Sequence, residues 1–325
     1  MTHKAIQATQ AGGPEVLEYV DVEDVSAGAG ELLVEPKAIG INFIDTYRRS
    51  GVYPMQFPHV PGVEGAGVVR DVGPGVDNFS VGDRVAWHNA HGSYSEQVIV
   101  GADQAIPVPD NVDDETAAAL PLQGMTAHYL ATSSFAAREG TTALVHAGAG
   151  GVGLVLTQLL KKLGARVITT VGTEEKAELS RQAGADDVFL YGDGVDIAAT
   201  VRGLTNGQGV DVVYDGVGKA TFDASLDSLA VRGLLVLFGG SSGQVPPFDL
   251  QRLNSGGSLS VSRPTLVHFT QTREELLSRA EMLLQGVQEG WLNFRIGASY
   301  PLSEAAQAQR DLEGRKTTGK IVLLP

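Results

Sequence analysis

The run HAGAGGVG, His146 to Gly153, sets Gly148, Gly150 and Gly153 in the spacing G-x-G-x-x-G. That spacing suits the gripping of a pyrophosphate. A first glycine lets a strand turn sharply, a second admits phosphate close to the backbone, and a third lets the next helix pack tightly. Gly151 and Val152 open that helix, whose unpaired N–H groups attract an anion. Taken alone, such a run can also be a plain glycine-rich turn. The position about 20 residues later bears on the dinucleotide, because an acid there accepts the ribose hydroxyls and repels a 2′-phosphate. Here Gly172 stands in that place, Thr173 offers a hydroxyl, and Lys176 brings the positive charge that a 2′-phosphate needs. This favours NADPH over NADH, with Glu174 and Glu175 as the opposing charges. Tyr191 is expected to cover the adenine or touch the 2′-phosphate, or else to line a sheet rim.

A turn of this kind has to be held at the end of a buried parallel strand. From residue 141 onward, apolar strands alternate with helices: strands over 143–146, 166–171, 187–190, 210–214, 233–238 and 258–262, helices over 151–163, 174–183, 197–204 and 221–229. Six strands with crossover helices make a doubly wound α/β domain. Before it, short strands over 31–39, 65–72, 83–88 and 94–100, punctuated by Gly73-Pro74-Gly75 and Gly82-Asp83, read as a β-rich antiparallel domain. Residues 113–130 form a helix interrupted near Pro121. After residue 264, a helix over 273–288, a strand near 294–299, a helix over 303–312 and a strand over 320–324 are expected to rejoin the first domain.

Composition narrows the function classes. The 325 residues carry 24 Lys and Arg against 38 Asp and Glu, a net charge of −14 that repels nucleic acid and anionic membranes. No apolar run is long enough to span a bilayer, so a cytoplasmic protein is expected. The chain has no cysteine, which removes thiol nucleophiles, disulfides and thiolate metal sites. His88, His91, His128 and His146 show no metal-ligand spacing and are expected to be structural or solvated.

The segments GINFIDTYRRSGVY (40–53), PGVEGAGVV (61–69), HAGAGGVG, 122–130, Phe238-Gly239-Gly240-Ser241, Arg263-Pro264-Thr265 and the closing RKTTGKIVLLP span nearly the whole chain. Together they resemble the zinc-free, zeta-crystallin-like quinone oxidoreductases of the medium-chain dehydrogenase/reductase superfamily. The resemblance implies a GroES-like domain over 1–123 plus 264–325 and a Rossmann domain over 124–263. It implies that Asn42, Tyr47 and Tyr53 face the nicotinamide in an interdomain cleft, where amide and phenol groups can hydrogen-bond a quinone oxygen. It also places Phe43, Asp45, Thr126, Tyr129, Phe238 to Ser241 and Arg263 to Thr265 along the cofactor.

Zinc-dependent members of that superfamily carry a cysteine in the segment of Asn42, a histidine where this chain has Val63, and a four-cysteine lobe. With those ligands missing, Asp45 and Glu64 make a poor metal site, and no zinc is expected. Without a Lewis acid the acceptor has to take hydride readily, as a quinone does in becoming an aromatic hydroquinone. An NADPH-dependent enal or enone reductase is the alternative within enzymes. A non-catalytic crystallin-like or RNA-binding role is the alternative of another class, disfavoured by the charge and the retained dinucleotide turn. A homodimer through the last strand of the doubly wound sheet is the expected assembly.

Overall fold

Residues 31–41, ELLVEPKAIGI, bury Leu32, Val34 and Pro36 in alternation, the period of a strand with one face on a core. The computed structural model describes residues 1–192 and 194–325. They form two units, 1–123 with 270–290 and 294–325, and 124–269 with 291–293.

The first unit begins with an antiparallel pair, β1 (Thr2–Ala8) and β2 (Leu17–Glu23). It continues through β3 (Glu31–Ile41), α1 (Phe43–Arg49), β4 (Glu64–Val72), β5 (Arg84–Trp87), β6 (Val98–Gly101), β7 (Ile106–Pro107) and α2 (Asp114–Ala119). The Asp113 side chain caps α2 by accepting from the Thr116 N–H. A π-helical turn, Leu120–Gly124, occupies the stretch around Pro121, where the ring cannot donate to the helical ladder, and α3 (Met125–Tyr129) follows it.

The second unit contains β8 (Thr142–Val145), α4 (Gly151–Lys162), β9 (Arg166–Val171), α5 (Glu174–Gln182), β10 (Asp187–Leu190), α6 (Ile197–Leu204), β11 (Val210–Asp215), α7 (Phe222–Asp227), β12 (Leu229–Leu237), α8 (Gln251–Ser255) and β13 (Ser260–Ser262). Its sheet is parallel in the order β10-β9-β8-β11-β12-β13. Counting strands within the unit, that order is 3-2-1-4-5-6, the doubly wound arrangement, which reverses between β8 and β11. Leu144, Ile168, Val213 and Leu235 bury one face of these strands against Val201, Phe222 and Leu226 of the helices.

The chain returns to the first unit with α9 (Arg273–Gln288), β14 (Ile296–Pro301), α10 (Ala305–Glu313) and β15 (Lys320–Leu324). Leu276, Ala280, Leu283 and Leu284 give α9 one apolar face. β15 pairs antiparallel with β3, setting Ile321 opposite Ile41, so Lys320 arrives beside the end of β3.

Several expected boundaries shift; the strand expected over 233–238, for one, already begins at Leu229, where the preceding helix was expected to end. The strand expected over 94–100 begins at Val98, because Tyr94 is already committed, its N–H to Pro61 O and its carbonyl to the Ile6 N–H. The last strand of the parallel sheet begins at Ser260 instead of Ser258, whose φ of 57° is left-handed and cannot sit in a ladder. The return to the first unit falls at Thr270 instead of residue 264, since Phe269 stacks flat on Tyr129 with ring centres 4.4 Å apart.

Candidate active site

Between β8 and α4 the glycine run turns at the carboxyl edge of the sheet, beside the point where strand order reverses. Ligands of doubly wound sheets bind at that crevice. The sharp turn expected of Gly148 is taken by Ala147, whose φ is 53°; no glycine of the run has a positive φ. The glycines are needed for space. A Cβ on Gly148 would lie 2.6 Å from Thr169 Cβ, and one on Gly153 would collide with the Ala147 carbonyl oxygen and stand 3.0 Å from Gly148 Cα. At Gly150 a Cβ would stand a tight 3.2 Å from the Ala147 carbonyl oxygen and meet no other residue within 4 Å. Gly150 caps α4 without a side-chain hydrogen bond, which leaves the first N–H groups of the helix, including those of Gly151 and Val152, free of a cap.

At the end of β9, Gly172 lies beneath the Tyr191 ring: a Cβ there would stand 3.3 Å from the phenol oxygen. Thr173 caps α5 by accepting from the Lys176 N–H. One of the two opposing acids, Glu174, is paired with Arg181 at 2.8 Å, which offsets its charge near Lys176. Gly172, Thr173, Lys176 and Tyr191 are therefore brought together.

Phe238 to Ser241 leave β12 and fold onto the loop after β11. Phe238 donates its N–H to Asp215 O and Ser241 to Gly216 O, while a Cβ on Gly239 would stand 2.6 Å from that same Gly216 oxygen. Thr126 and Tyr129 on α3 are buried, and Tyr129 is held by Phe269. Burial pushes the Tyr129 phenol well above its ordinary range. Arg263 and Thr265 are exposed around the buried Pro264.

In the first unit, Asn42, Phe43, Asp45 and Tyr47 lie on one turn at the start of α1. Asn42 is only 4% exposed and both ends of its amide are engaged, Nδ2 donating to Glu64 Oε2 at 2.7 Å and Oδ1 accepting from Lys320 Nζ at 2.9 Å. Its N–H donates to Asp45 Oδ2, which also accepts from the Tyr94 hydroxyl at 3.0 Å. Burial pushes the Asp45 carboxyl up to about 6, against those two hydrogen bonds. Asn42 and Asp45 are thus both tied by hydrogen bonds into the interior of this unit. Tyr47 and Tyr53 pack edge to face with ring centres 5.6 Å apart, Phe43 lies 6.3 Å from Tyr47, and the Tyr53 ring reaches solvent.

Two family models match the chain, the alcohol dehydrogenase GroES-like domain over residues 28–110 and the zinc-binding dehydrogenase domain over 151–281. A quinone oxidoreductase of Pseudomonas aeruginosa is 46% identical, over 99% of each chain. The chain belongs to the quinone oxidoreductase family. A second relative of this family, a 2-haloacrylate reductase of Burkholderia, is 41% identical over 97% of this chain and 96% of its own. A mycobacterial structure solved in complex with NADPH is 53% identical and superposes with a TM-score of 0.97, over 99% of this chain and all of its own.

One of the matching models is named for zinc, and the residues of this quinone oxidoreductase family member do not fit that metal. The chain has no cysteine, and among the described residues no three His, Asp or Glu side chains converge as ligands. Glu64, the acid in the matching segment, is fully buried and ion-paired with Lys320, itself 1% exposed. The Glu64 carboxylate also accepts from the Leu122 N–H. Gly40 makes room for the pair, because a Cβ there would collide with Glu64 Oε2 and stand 2.8 Å from Lys320 Cε.

Lys320 and Asp215 are buried charged residues beside the expected site segments that reading the sequence did not single out. A lysine opening the apolar strand KIVLLP and an acid closing VDVVYD before a glycine were the signals available. Neither reveals its partner, which comes from a distant segment.

Proposed function

We propose that this chain transfers hydride from NADPH to a quinone. The observation that carries the reading is the glycine turn, where helix α4 begins without a side-chain cap, at the reversal of a 3-2-1-4-5-6 sheet. The relatives named for quinone reduction and the NADPH complex at 53% identity support it.

The residues present fit NADPH. Gly148, Gly150, Gly151, Val152 and Gly153 would hold the pyrophosphate, and Lys176 with Thr173 and Tyr191 would meet the 2′-phosphate where Gly172 leaves room. Phe238 to Ser241 offer backbone groups to the carboxamide, while Thr126, Tyr129 and Arg263 to Thr265 are proposed to complete the cofactor's surroundings. Bound there, NADPH supplies the hydride. Tyr47 and Tyr53 would orient the acceptor by donating phenol hydrogens to its oxygens, so that the charge arriving on oxygen is met by a donor. A hydroquinone product leaves with its oxygens protonated from water or these phenols, which asks for no strong general acid.

The expected result is NADPH oxidation that depends on added quinone. Lys176→Ala should raise the KM for NADPH about tenfold, from the loss of roughly one charge-assisted hydrogen bond, and change that for NADH little. Equal effects on the two cofactors would overturn the assignment of Lys176. The 2-haloacrylate reductase relative favours a second reading, hydride delivery to an electron-poor alkene. A panel of quinones and activated alkenes assayed in parallel separates the two, since the first reading requires the larger kcat/KM on quinones.

We further propose a cytoplasmic homodimer built on β13, which among the described residues has a sheet neighbour, β12, on one side only. Light scattering that returns the 34.0 kDa mass of one chain would refute the dimer.

A further inference from the structure

Beneath the glycine turn, five buried polar side chains from different parts of the second unit are linked. Asp215, at the end of β11, accepts from the N–H groups of Val217 and Gly218 on Oδ1, at 2.8 and 2.9 Å. Its other oxygen accepts from the hydroxyls of Thr221, at 2.7 Å, and Ser225, at 2.8 Å. Ser225 Oγ is 3.0 Å from His146 Nε2, and His146 Nδ1 is 2.9 Å from Thr170 Oγ1. His146, Thr170, Asp215 and Ser225 are each at most 1% exposed, and Thr221 is 8% exposed.

The proton positions follow from the carboxylate. A carboxylate only accepts, so the single hydroxyl hydrogen of Ser225 is committed to Asp215. The Ser225 oxygen then has to accept, and His146 supplies the Nε2–H. A neutral imidazole has one N–H, so Nδ1 accepts from the Thr170 hydroxyl. Burial holds the imidazole below its ordinary range, against the pull of Asp215. The chain of donors therefore runs one way, from Thr170 through His146 and Ser225 to Asp215.

Its members sit at the reversal of strand order. His146 opens the glycine run just after β8, and Asp215 ends β11 before the loop that follows; β8 and β11 are neighbours, and the His146 N–H donates to Tyr214 O. Through its main chain Asp215 also takes the Phe238 N–H, and Ser241 and Ser242 donate to Gly216 O and Val217 O. One buried chain thus ties together the turn after β8 and the loops after β11 and β12. Buried networks in which every member is satisfied specify a single local arrangement.

We propose that His146, Ser225 and Asp215 are positioning residues of the dinucleotide site, a one-directional hydrogen-bond chain that sets the glycine turn and the loops after β11 and β12 in register. This rests on the dinucleotide reading above and deepens it. None of the three is asked to touch the cofactor.

The test uses the full-length protein, with NADPH titrated by its fluorescence and by steady-state kinetics. Ser225→Ala, which deletes one oxygen, and His146→Leu should each raise the NADPH Kd and KM about tenfold. The kcat at saturating NADPH should stay within about threefold. His146→Gln keeps one donor and one acceptor and should recover affinity to within about threefold of wild type. Ser228→Ala removes another buried hydroxyl just beyond the same helix, one that donates to Ala224 O outside the chain. It should lower thermal stability while leaving the Kd unchanged.

Wild-type affinity in both Ser225→Ala and His146→Leu would overturn the proposal, as would a Gln variant no better than Leu or an equal loss in Ser228→Ala. If His146→Leu does not fold, Ser225→Ala decides. Wild-type protein that binds no NADPH is a different result: it overturns the dinucleotide reading, and this proposal with it.

Discussion

Gly153→Ala and Gly150→Ala should fail in different ways. The first puts a methyl group against the Ala147 carbonyl and 3.0 Å from Gly148 Cα, both main-chain positions that cannot swing aside. Either α4 or the turn has to shift. Overpacking of this kind costs about 1 to 3 kcal/mol, and because the shifted atoms form the proposed phosphate cradle, NADPH affinity should fall by at least about a hundredfold. The second stands 3.2 Å from that same carbonyl oxygen, a tight contact relieved by a shift of a few tenths of an ångström, and Gly150 has an ordinary extended backbone with φ of −78°. Gly150→Ala should therefore melt closer to wild type than Gly153→Ala yet bind NADPH at least about tenfold more weakly, because its methyl group stands where the proposed pyrophosphate would approach the backbone. Calorimetry beside a fluorescence titration reads both quantities. Normal affinity in Gly150→Ala would remove the pyrophosphate from this turn.

Lys320→Met should be the most destabilising single change in the first unit. It leaves Glu64 as a fully buried carboxylate with no cation, retaining only the N–H donors of Leu122 and the Asn42 amide. Breaking a buried ion pair from one side costs about 3 to 5 kcal/mol, since the surviving charge has been taken out of water without its partner. The double variant Lys320→Met with Glu64→Gln removes both charges and should regain at least half of that loss, because a neutral amide oxygen still accepts from Leu122 and pays little desolvation. Urea unfolding of wild type, both single variants and the double variant closes the cycle. Losses that simply add would show that the two charges do not depend on each other.

The Lys320 result also bears on the metal. In the segment that carries no zinc ligands here, the buried Glu64 is neutralised by Lys320, and the amide of Asn42 is held at one end by each, Nδ2 by Glu64 and Oδ1 by Lys320. In the same segment Tyr47 and Tyr53 pack edge to face, and the Tyr53 ring reaches solvent.

Much of the fold was legible because its signals are local. The alternation of apolar strands and helices from residue 141 marks a parallel sheet, and the helix over 273–288 shows its buried face in the spacing of Leu276, Ala280, Leu283 and Leu284. Where boundaries moved, a backbone angle or a distant contact was responsible: Ser258 turns left-handed, and Tyr94 is held by Pro61 and Ile6. Of the proposed site, the glycine spacing and the Gly172, Thr173 and Lys176 group were visible because each lies within one short segment.

The sequence by itself determined the doubly wound class, the dinucleotide turn and, through the absence of cysteine, the lack of a thiolate zinc site. Only the tertiary structure decided what the glycines do there. Ala147 makes the bend, while Gly148 and Gly153 make room for Thr169 and the Ala147 carbonyl, which are brought close by folding. It also decided that Lys320 pairs with Glu64 across 256 residues and that His146 reaches Asp215 through Ser225. The reason is physical: backbone periodicity is set by neighbours along the chain, whereas the partner of a buried charge or hydroxyl is set by whichever distant segment the fold lays against it.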